Sequence, residues 1–214
     1  MQETIVAELH PTTEDIKTLS KLSGVGIPFK KDNEDYSSAI VKKPWGYEYL
    51  IFENKQSAVW VLFIKSGHQT SMHCHPNKKT SLIVLKGRVK CSTLSKDFNL
   101  GVRQSLLIEK KVFHQTKAIS EEGSFVIEIE TPVSKKDLIR LKDKYGREGK
   151  GYESKENFSY NKQNYNHVSL NSLTTKNVEK RKLGDCSLTI HRINDFEKQS
   201  SQISDTSFLL CGKI

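Results

Sequence analysis

Residues 67–87 read GHQTSMHCHPNKKTSLIVLKG, a His-Cys-His triplet followed by a polar turn and an apolar run that ends at a glycine. The apolar run has the length and composition of a β-strand. Successive side chains of a strand point to opposite faces, so His73 and His75 share one face and Cys74 points to the other. The two imidazoles are therefore predicted to act together as a pair of metal ligands.

A third histidine lies at the end of a second apolar stretch. Ser105 to Phe113 is predicted to be extended and ends at His114. Antiparallel pairing of this stretch with the first strand would bring His114 opposite His73 and His75. Three imidazoles with an open position are typical of a catalytic metal site. By spacing alone, a histidine pair is also compatible with a solvated strand.

Both segments resemble the cupin family. The first matches its first motif, in which two glycines, here Gly67 and Gly87, enclose His-x-His and a carboxylate. Leu107–His114 resembles the second motif, with Glu109 and Lys111 where the family usually has Pro and Gly. The resemblance implies an all-β fold, a cupin-type jelly-roll β-barrel.

The resemblance also implies a divalent metal ion, with Zn, Fe, Mn and Ni left open. Thr80 stands where the family has its glutamate ligand, and a hydroxyl is a poor ligand for such an ion. Water, Gln69 or a carboxylate such as Glu128 would complete the shell, or binding would be weaker than in the family. The expected ligands are His73, His75, His114 and Gln69.

A closer resemblance covers about a hundred residues. Lys43–Glu48 (KPWGYE), Ile127–Ile129 and Asp137–Arg147 (DLIRLKDKYGR) are similar to the cupin domain of type II mannose-6-phosphate isomerases and their standalone relatives in surface-polysaccharide gene clusters. In that family the position of His73 is usually Gln and that of Thr80 is Glu. The scaffold is therefore kept while the metal ligands change.

This resemblance implies a metal-dependent enzyme that acts on a sugar phosphate or nucleotide sugar by aldose–ketose isomerisation or epimerisation, in polysaccharide or glycan biosynthesis. Glu128 and Lys79 are the predicted catalytic residues. Glu128 and Glu130 share a strand face, and one of them is expected to enter the barrel while the other is exposed. Two alternatives remain: a non-catalytic sugar-binding cupin, which Thr80 favours, and an iron-dependent oxygenase, which three histidines also suit.

The composition limits the classes of partner that the chain is expected to bind. The chain has 214 residues and a formal net charge of +9, without a recognised nucleic-acid motif. Its lysines are scattered, so an anionic sugar is expected as the partner rather than nucleic acid. The longest apolar run, Ala58 to Ile64, is too short to span a membrane. Four unpatterned cysteines and the lack of a signal sequence predict a cytoplasmic protein with reduced thiols.

Three parts are predicted along the chain. Residues 1–42 form an N-terminal arm with a helix that starts at Thr13–Asp15. Residues 43–150 form the barrel, flanked by a second helix over Lys135–Lys144. Residues 151–214 form a linker and a partly strand-forming C-terminal extension. The predicted barrel strands are Tyr47–Phe52, Ala58–Ile64, Ser81–Leu85, Arg88–Thr93, Ser105–Ile108 and Ser124–Glu130.

The end of the chain is a separate prediction. Ser207–Ile214 looks like the start of another cupin or a set of dimerisation strands. An apolar strand without a partner favours association, so a homodimer is expected.

Overall fold

The structure, a computed structural model, describes residues 5–23, 34–168, 178–183 and 186–191. Within these ranges it contains one α-helix, α1 (Thr13–Ser23), and a short 3-10 turn. Ser207–Ile214, the predicted further cupin strands, lies outside the described residues. The strands are β1 (Ile5–Leu9), β2 (Ile40–Lys43), β3 (Gly46–Glu53), β4 (Ala58–Ile64), β5 (Met72–Cys74), β6 (Lys79–Lys86), β7 (Val89–Thr93), β8 (Asp97–Leu100), β9 (Ser105–Ile108), β10 (His114–Ala118), β11 (Ser124–Thr131), β12 (Ile139–Lys142), β13 (Phe158–Ser159), β14 (Val178–Leu183) and β15 (Cys186–His191).

Two sheets form the barrel. The larger has eight strands in the order β1-β9-β6-β11-β4-β3-β2-β13, and the smaller has five in the order β12-β5-β10-β7-β8. Strands β14 and β15 form a separate two-stranded sheet. The prediction of an all-β jelly-roll fold is confirmed, and each predicted barrel strand has a counterpart.

Alternation along the strands builds the core. On β4, Trp60 and Leu62 belong to the cluster inside the barrel, whereas Val59 and Val61 belong to a second cluster on the outer face. Val168 is buried in that outer cluster. Both faces of the central strands are therefore covered, which explains why their sequence is apolar throughout.

Helix α1 begins where the sequence predicted. The hydroxyl of Thr12 accepts a hydrogen bond from the backbone N–H of Asp15 at 3.2 Å, and a carboxylate oxygen of Asp15 accepts one from the N–H of Thr12 at 2.8 Å. This reciprocal arrangement satisfies two free donors at the start of the helix. Leu19 packs with Phe113 and Cys74 on the outer face of the smaller sheet.

The second predicted helix is wrong. Residues 139–142 form strand β12, which pairs antiparallel with β5 and places Arg140 opposite His73. Ile139 and Leu141 pack with the outer cluster of the smaller sheet, and Arg140 between them is buried. Alternation with a period of two therefore prevails over the helical pattern, because the free edge of β5 supplies backbone partners.

The barrel uses more of the chain than the predicted 43–150 segment. Strand β1 of the N-terminal arm pairs in parallel with β9, and β13 pairs with β2. The barrel thus continues past residue 150, where a linker was expected. Within the described ranges, no helix has the length and apolar character needed to cross a membrane.

Candidate metal centre

Strands β5 and β10 bring three imidazoles together. They pair antiparallel with His114 directly opposite His73, and His75 follows the end of β5. A ligand nitrogen from each ring lies within 4.8 Å of those of the other two. The predicted convergence is present, but by another route: Ser105–Ile108 pairs with β6, and His114 begins a strand of its own.

Backbone carbonyls fix the tautomer of all three rings. A carbonyl only accepts hydrogen bonds, so each Nδ1 carries the proton and each Nε2 keeps its lone pair. Nε2 of His75 is buried without a hydrogen-bond partner. The three contacts are His73 Nδ1 to Ser71 O at 2.8 Å, His75 Nδ1 to Asp137 O at 2.6 Å and His114 Nδ1 to Val112 O at 3.0 Å.

The surroundings keep the imidazoles neutral. Burial lowers the pKa of His73 and His75 well below its ordinary value, and the charge of nearby Lys78 lowers that of His75 further. Burial also lowers the pKa of His114. Neutral imidazoles with free Nε2 atoms are the form that binds a divalent metal, so these residues fit such an ion.

Glu128 brings a carboxylate to the histidines. Its Oε1 lies 3.9 Å from Nε2 of His75, and its Oε2 accepts a hydrogen bond from Lys135 at 3.1 Å. Burial would raise the pKa of Glu128, but the charges of Lys135 and Lys78 outweigh burial and hold the pKa below its ordinary value. Glu128 is therefore an ionised carboxylate inside the barrel.

Glu130 differs from its expected position. Both glutamates of β11 enter the barrel, and Glu130 has no exposed surface. Its carboxylate accepts a hydrogen bond from the ammonium group of Lys78 and another from Nε1 of Trp60 at 3.3 Å. A buried carboxylate is tolerable here because both polar partners lie inside the barrel.

Lys79, predicted to be catalytic, lies outside the cavity. Its side chain is 57% exposed and pairs with Glu109, whereas the side chain of Lys78 is 1% exposed. Neighbouring residues at the start of β6 point to opposite faces, so only one of two adjacent lysines can enter. The structure therefore brings Lys78, and not Lys79, into the site.

Gln69, the expected fourth ligand, and Thr80, which stands at the position of the family's glutamate, lie in different environments. Gln69 is half-buried, and its backbone forms an isolated antiparallel β-bridge with Lys117. It is not among the residues that line the cavity. Thr80 is buried, and its hydroxyl has no hydrogen-bond partner.

A buried chain of charges extends from Glu128 across the cavity. Lys135 lies 3.6 Å from Glu48, and Glu48 also contacts Lys43 at 3.3 Å and the hydroxyl of Tyr152. For Lys135, burial lowers the pKa, but Glu128 and Glu48 outweigh burial and raise it above its ordinary value. Lys135 and Glu128 therefore stabilise each other's charged forms.

The segment after β12 closes this side of the cavity. Glu153 accepts a hydrogen bond from Arg147 at 2.6 Å and contacts Arg140 at 3.4 Å and Lys43. Arg147 also donates to Asp143 at 2.7 Å. The Asp137–Arg147 motif signalled part of this arrangement, but no sequence pattern pointed to Tyr152 or Glu153.

The resulting cavity has a volume of about 60 Å³, enough for an ion and a few waters. Neutral nitrogens, an ionised carboxylate and buried ammonium groups can together bind a metal, accept a proton and stabilise developing negative charge. Its polar lining includes Lys43, Glu48, Ser71, His73, His75, Lys78, Glu128, Lys135, Arg140, Arg147 and Tyr152.

A curated protein is similar in sequence to part of this chain. The chain is 26% identical over 121 residues to mannose-1-phosphate guanylyltransferase of Klebsiella pneumoniae. The aligned region covers 56% of this chain and 24% of that protein. The chain thus spans about a quarter of the length of this curated relative.

Solved structures are similar at lower identity. Oxalate decarboxylase of Lactobacillus farciminis has a TM-score of 0.44 and 17% identity, over 48% of this chain and 33% of that one. KdgF of Halomonas sp. has a TM-score of 0.42 and 14% identity, over 50% and 94%. CapF, a capsular polysaccharide assembling protein of Staphylococcus aureus, has a TM-score of 0.44 and 13% identity, over 49% and 34%.

The family comparison covers the barrel. Residues 30–143, more than half of the chain, match the family described as mannose-6-phosphate isomerase C-terminal. This range includes all three histidines, Glu128 and Lys135. The chain therefore belongs to the mannose-6-phosphate isomerase C-terminal family of cupins.

Proposed function

We propose that this protein is a metal-dependent enzyme that transfers a proton next to the carbonyl of a sugar phosphate or nucleotide sugar, as in aldose–ketose isomerisation or epimerisation. The observation that carries the proposal is the position of the ionised Glu128 carboxylate 3.9 Å from the unpartnered Nε2 of His75. A base beside a metal-binding nitrogen is the pairing that such a reaction needs.

A divalent ion would be held by His73, His75 and His114, whose neutral nitrogens leave its positive charge intact. When bound, the ion supplies Lewis acidity that polarises a carbonyl and an adjacent hydroxyl. Zinc, iron, manganese and nickel are all compatible with imidazole ligands.

Side chains of the protein would accept the proton and stabilise the charge of the intermediate. Glu128 accepts the proton from carbon, and Lys135 keeps the carboxylate ionised until then. Lys78, buried against Glu130, adds positive charge beside the developing enediolate. Lys79 has no part in this scheme because its side chain lies outside the cavity.

The position of the histidines inside the barrel orients the substrate. We expect the reacting end of a sugar to enter the cavity and the phosphate to remain at its mouth. The similarity to mannose-1-phosphate guanylyltransferase supports an anionic sugar of this kind. Synthesis of a surface polysaccharide or glycan in the cytoplasm, by a homodimer, is the setting that we propose.

Deuterium exchange tests the reaction. Metal-loaded protein is incubated in heavy water with a panel of aldose phosphates, ketose phosphates and nucleotide sugars, and incorporation next to the carbonyl is followed by NMR. We expect exchange with at least one sugar and its loss in Glu128→Gln, whereas Lys79→Gln, the matched exposed control, retains it. Failure of all sugars to exchange would reject the enzymatic proposal.

Two other functions remain as second candidates. The replacement of the family's glutamate by Thr80 favours a non-catalytic sugar-binding cupin, for which sugar binding without exchange is expected. Three histidines also suit an iron-dependent oxygenase. Oxygen uptake that depends on iron and on a sugar would favour the oxygenase.

A further inference from the structure

We propose that Glu128 is the fourth protein ligand of the metal centre and replaces, from a different strand, the carboxylate that Thr80 cannot supply. This inference rests on the metal-binding part of the proposed function and concerns the protein before substrate binds. For Glu128 then to act as the base, the substrate would displace its carboxylate from the ion. In the family motif the carboxylate follows the histidines on the same segment. Here it would come from β11, which is hydrogen-bonded to β6.

The separation between the two donor atoms supports a shared ion. Oε1 of Glu128 and Nε2 of His75 lie 3.9 Å apart, too far for a hydrogen bond. At the tetrahedral angle, metal–nitrogen and metal–oxygen bonds of about 2.1 Å each place two donors about 3.4 Å apart. A shared ion would therefore draw the Glu128 carboxylate about 0.5 Å closer to His75 than in this structure.

The other carboxylate oxygen is already held in a manner typical of a ligand. Oε2 accepts a hydrogen bond from Lys135 at 3.1 Å, so Oε1 remains directed to His75. Lys135 in turn lies 4.0 Å from the ring centre of Trp60 and 3.6 Å from Glu48. Ligating carboxylates are commonly oriented by such neighbours.

The other carboxylates that line or adjoin this side of the cavity are engaged by cations or hydrogen-bond donors. Glu130 bonds Lys78 and Trp60, and Glu48 contacts Lys43, Lys135 and Tyr152. Glu128 is thus the carboxylate with an oxygen next to the free histidine nitrogen.

Cobalt binding tests this assignment without reference to activity. Co²⁺ is titrated into the metal-free protein, and its visible absorption reports both affinity and the ligand set. We expect Glu128→Gln to weaken Co²⁺ binding at least about 10–100-fold and to change the spectrum. Glu122→Gln, a carboxylate exposed at the surface, should keep the wild-type spectrum. An unchanged spectrum and affinity in Glu128→Gln would overturn the assignment.

Two further variants separate ligation from charge balance. Lys135→Gln removes the partner but keeps the carboxylate, so cobalt affinity should fall much less than in Glu128→Gln. The double variant Glu128→Gln, Lys135→Gln leaves no uncompensated buried charge, yet should bind cobalt as weakly as Glu128→Gln alone. Wild-type affinity in the double variant, or an equal loss in Lys135→Gln, would overturn the assignment. Deuterium exchange decides the reaction separately, since cobalt ligation is measured without a sugar.

Discussion

A carboxylate oxygen of Asp15, on helix α1, accepts a hydrogen bond from the backbone N–H of Phe113 at 2.9 Å. Phe113 immediately precedes His114, and its side chain is completely buried. The same carboxylate caps the start of α1 through Thr12. The N-terminal arm therefore fixes the segment that enters the site with the third imidazole.

Asp15→Ala should lower both stability and metal affinity. The variant removes a helix cap and leaves the buried N–H of Phe113 without a partner, so we expect a loss of about 1–3 kcal/mol in the free energy of unfolding. Urea denaturation measures this loss, and cobalt titration measures the affinity. Glu14→Ala, an exposed carboxylate in the same turn, should change neither. Equal effects of the two substitutions would contradict the role of Asp15.

Metal should stabilise the folded protein through the three histidines. With free Zn²⁺ at a hundred times its Kd, linkage predicts about 2.7 kcal/mol of added stability and a higher melting temperature. His75→Ala should remove most of this increase. His68→Ala is the control, because His68 stacks on Tyr145 away from the cluster. An undiminished increase in His75→Ala would argue against the site.

Two adjacent lysines should behave oppositely. Lys78→Met removes the closest cation of the fully buried Glu130 and leaves it only Lys135 at 4.0 Å, which we expect to cost about 3 kcal/mol of unfolding free energy. Lys79→Met should leave stability unchanged, because the Lys79–Glu109 pair lies at the surface. Chemical denaturation of the two variants side by side compares them, and a stable Lys78→Met variant would contradict the buried pair.

The two motif glycines should differ in what they tolerate. Both have positive φ, +70° at Gly67 and +78° at Gly87, so alanine at either position should cost about 1–2 kcal/mol. A Cβ at Gly87 would also lie 2.6 Å from the carbonyl oxygen of Gly123, whereas Gly67 has open space. Gly87→Ala should therefore cost at least about 1 kcal/mol more in thermal denaturation. Equal losses would show that the backbone relieves the clash.

The segment that closes the cavity should make stability sensitive to acid. Burial raises the pKa of Glu153, but Lys43 and the two arginines, Arg140 and Arg147, outweigh burial and lower it below the ordinary value. The unfolded chain then binds more protons, so this contribution is present above about pH 4–5 and is lost as pH falls through the lowered pKa.

Urea denaturation between pH 7 and pH 3 measures that loss. Glu153→Gln should lose less stability over this interval than the wild type, because it lacks the carboxyl group whose pKa is lowered in the folded protein. Glu156→Gln, an exposed carboxylate in the nearby 3-10 turn, should follow the wild-type curve. A wild-type curve that is flat down to pH 3 would contradict the predicted direction.

The barrel and its histidines were predictable because their signals are local. The spacing of His73 and His75 and the position of Gly87 follow from strand alternation and from one tight turn, both of which depend on neighbouring residues. The start of α1 is also local, since Thr12 and Asp15 bond each other across one helical turn.

The parts of the site that the sequence did not predict depend on contacts between distant segments. Arg140 enters the cavity because β12 adds to the edge of β5, and Tyr152 reaches Glu48 from 104 residues away. The choice between Lys78 and Lys79 depends on a one-residue register that composition does not determine. Nothing within the sequence of β11 indicated that Glu130 would form an ion pair with Lys78 inside the barrel.

The orientation of Cys74 has a consequence for metal selection. Its sulfur lies among the apolar residues beneath α1, and burial raises the pKa of the thiol to about 12. The ion would therefore meet nitrogen and oxygen donors only, which disfavours thiophilic ions such as Cu(I). Peroxide would likewise have no thiolate to attack beside the centre, although the chain places a cysteine between two of its imidazoles.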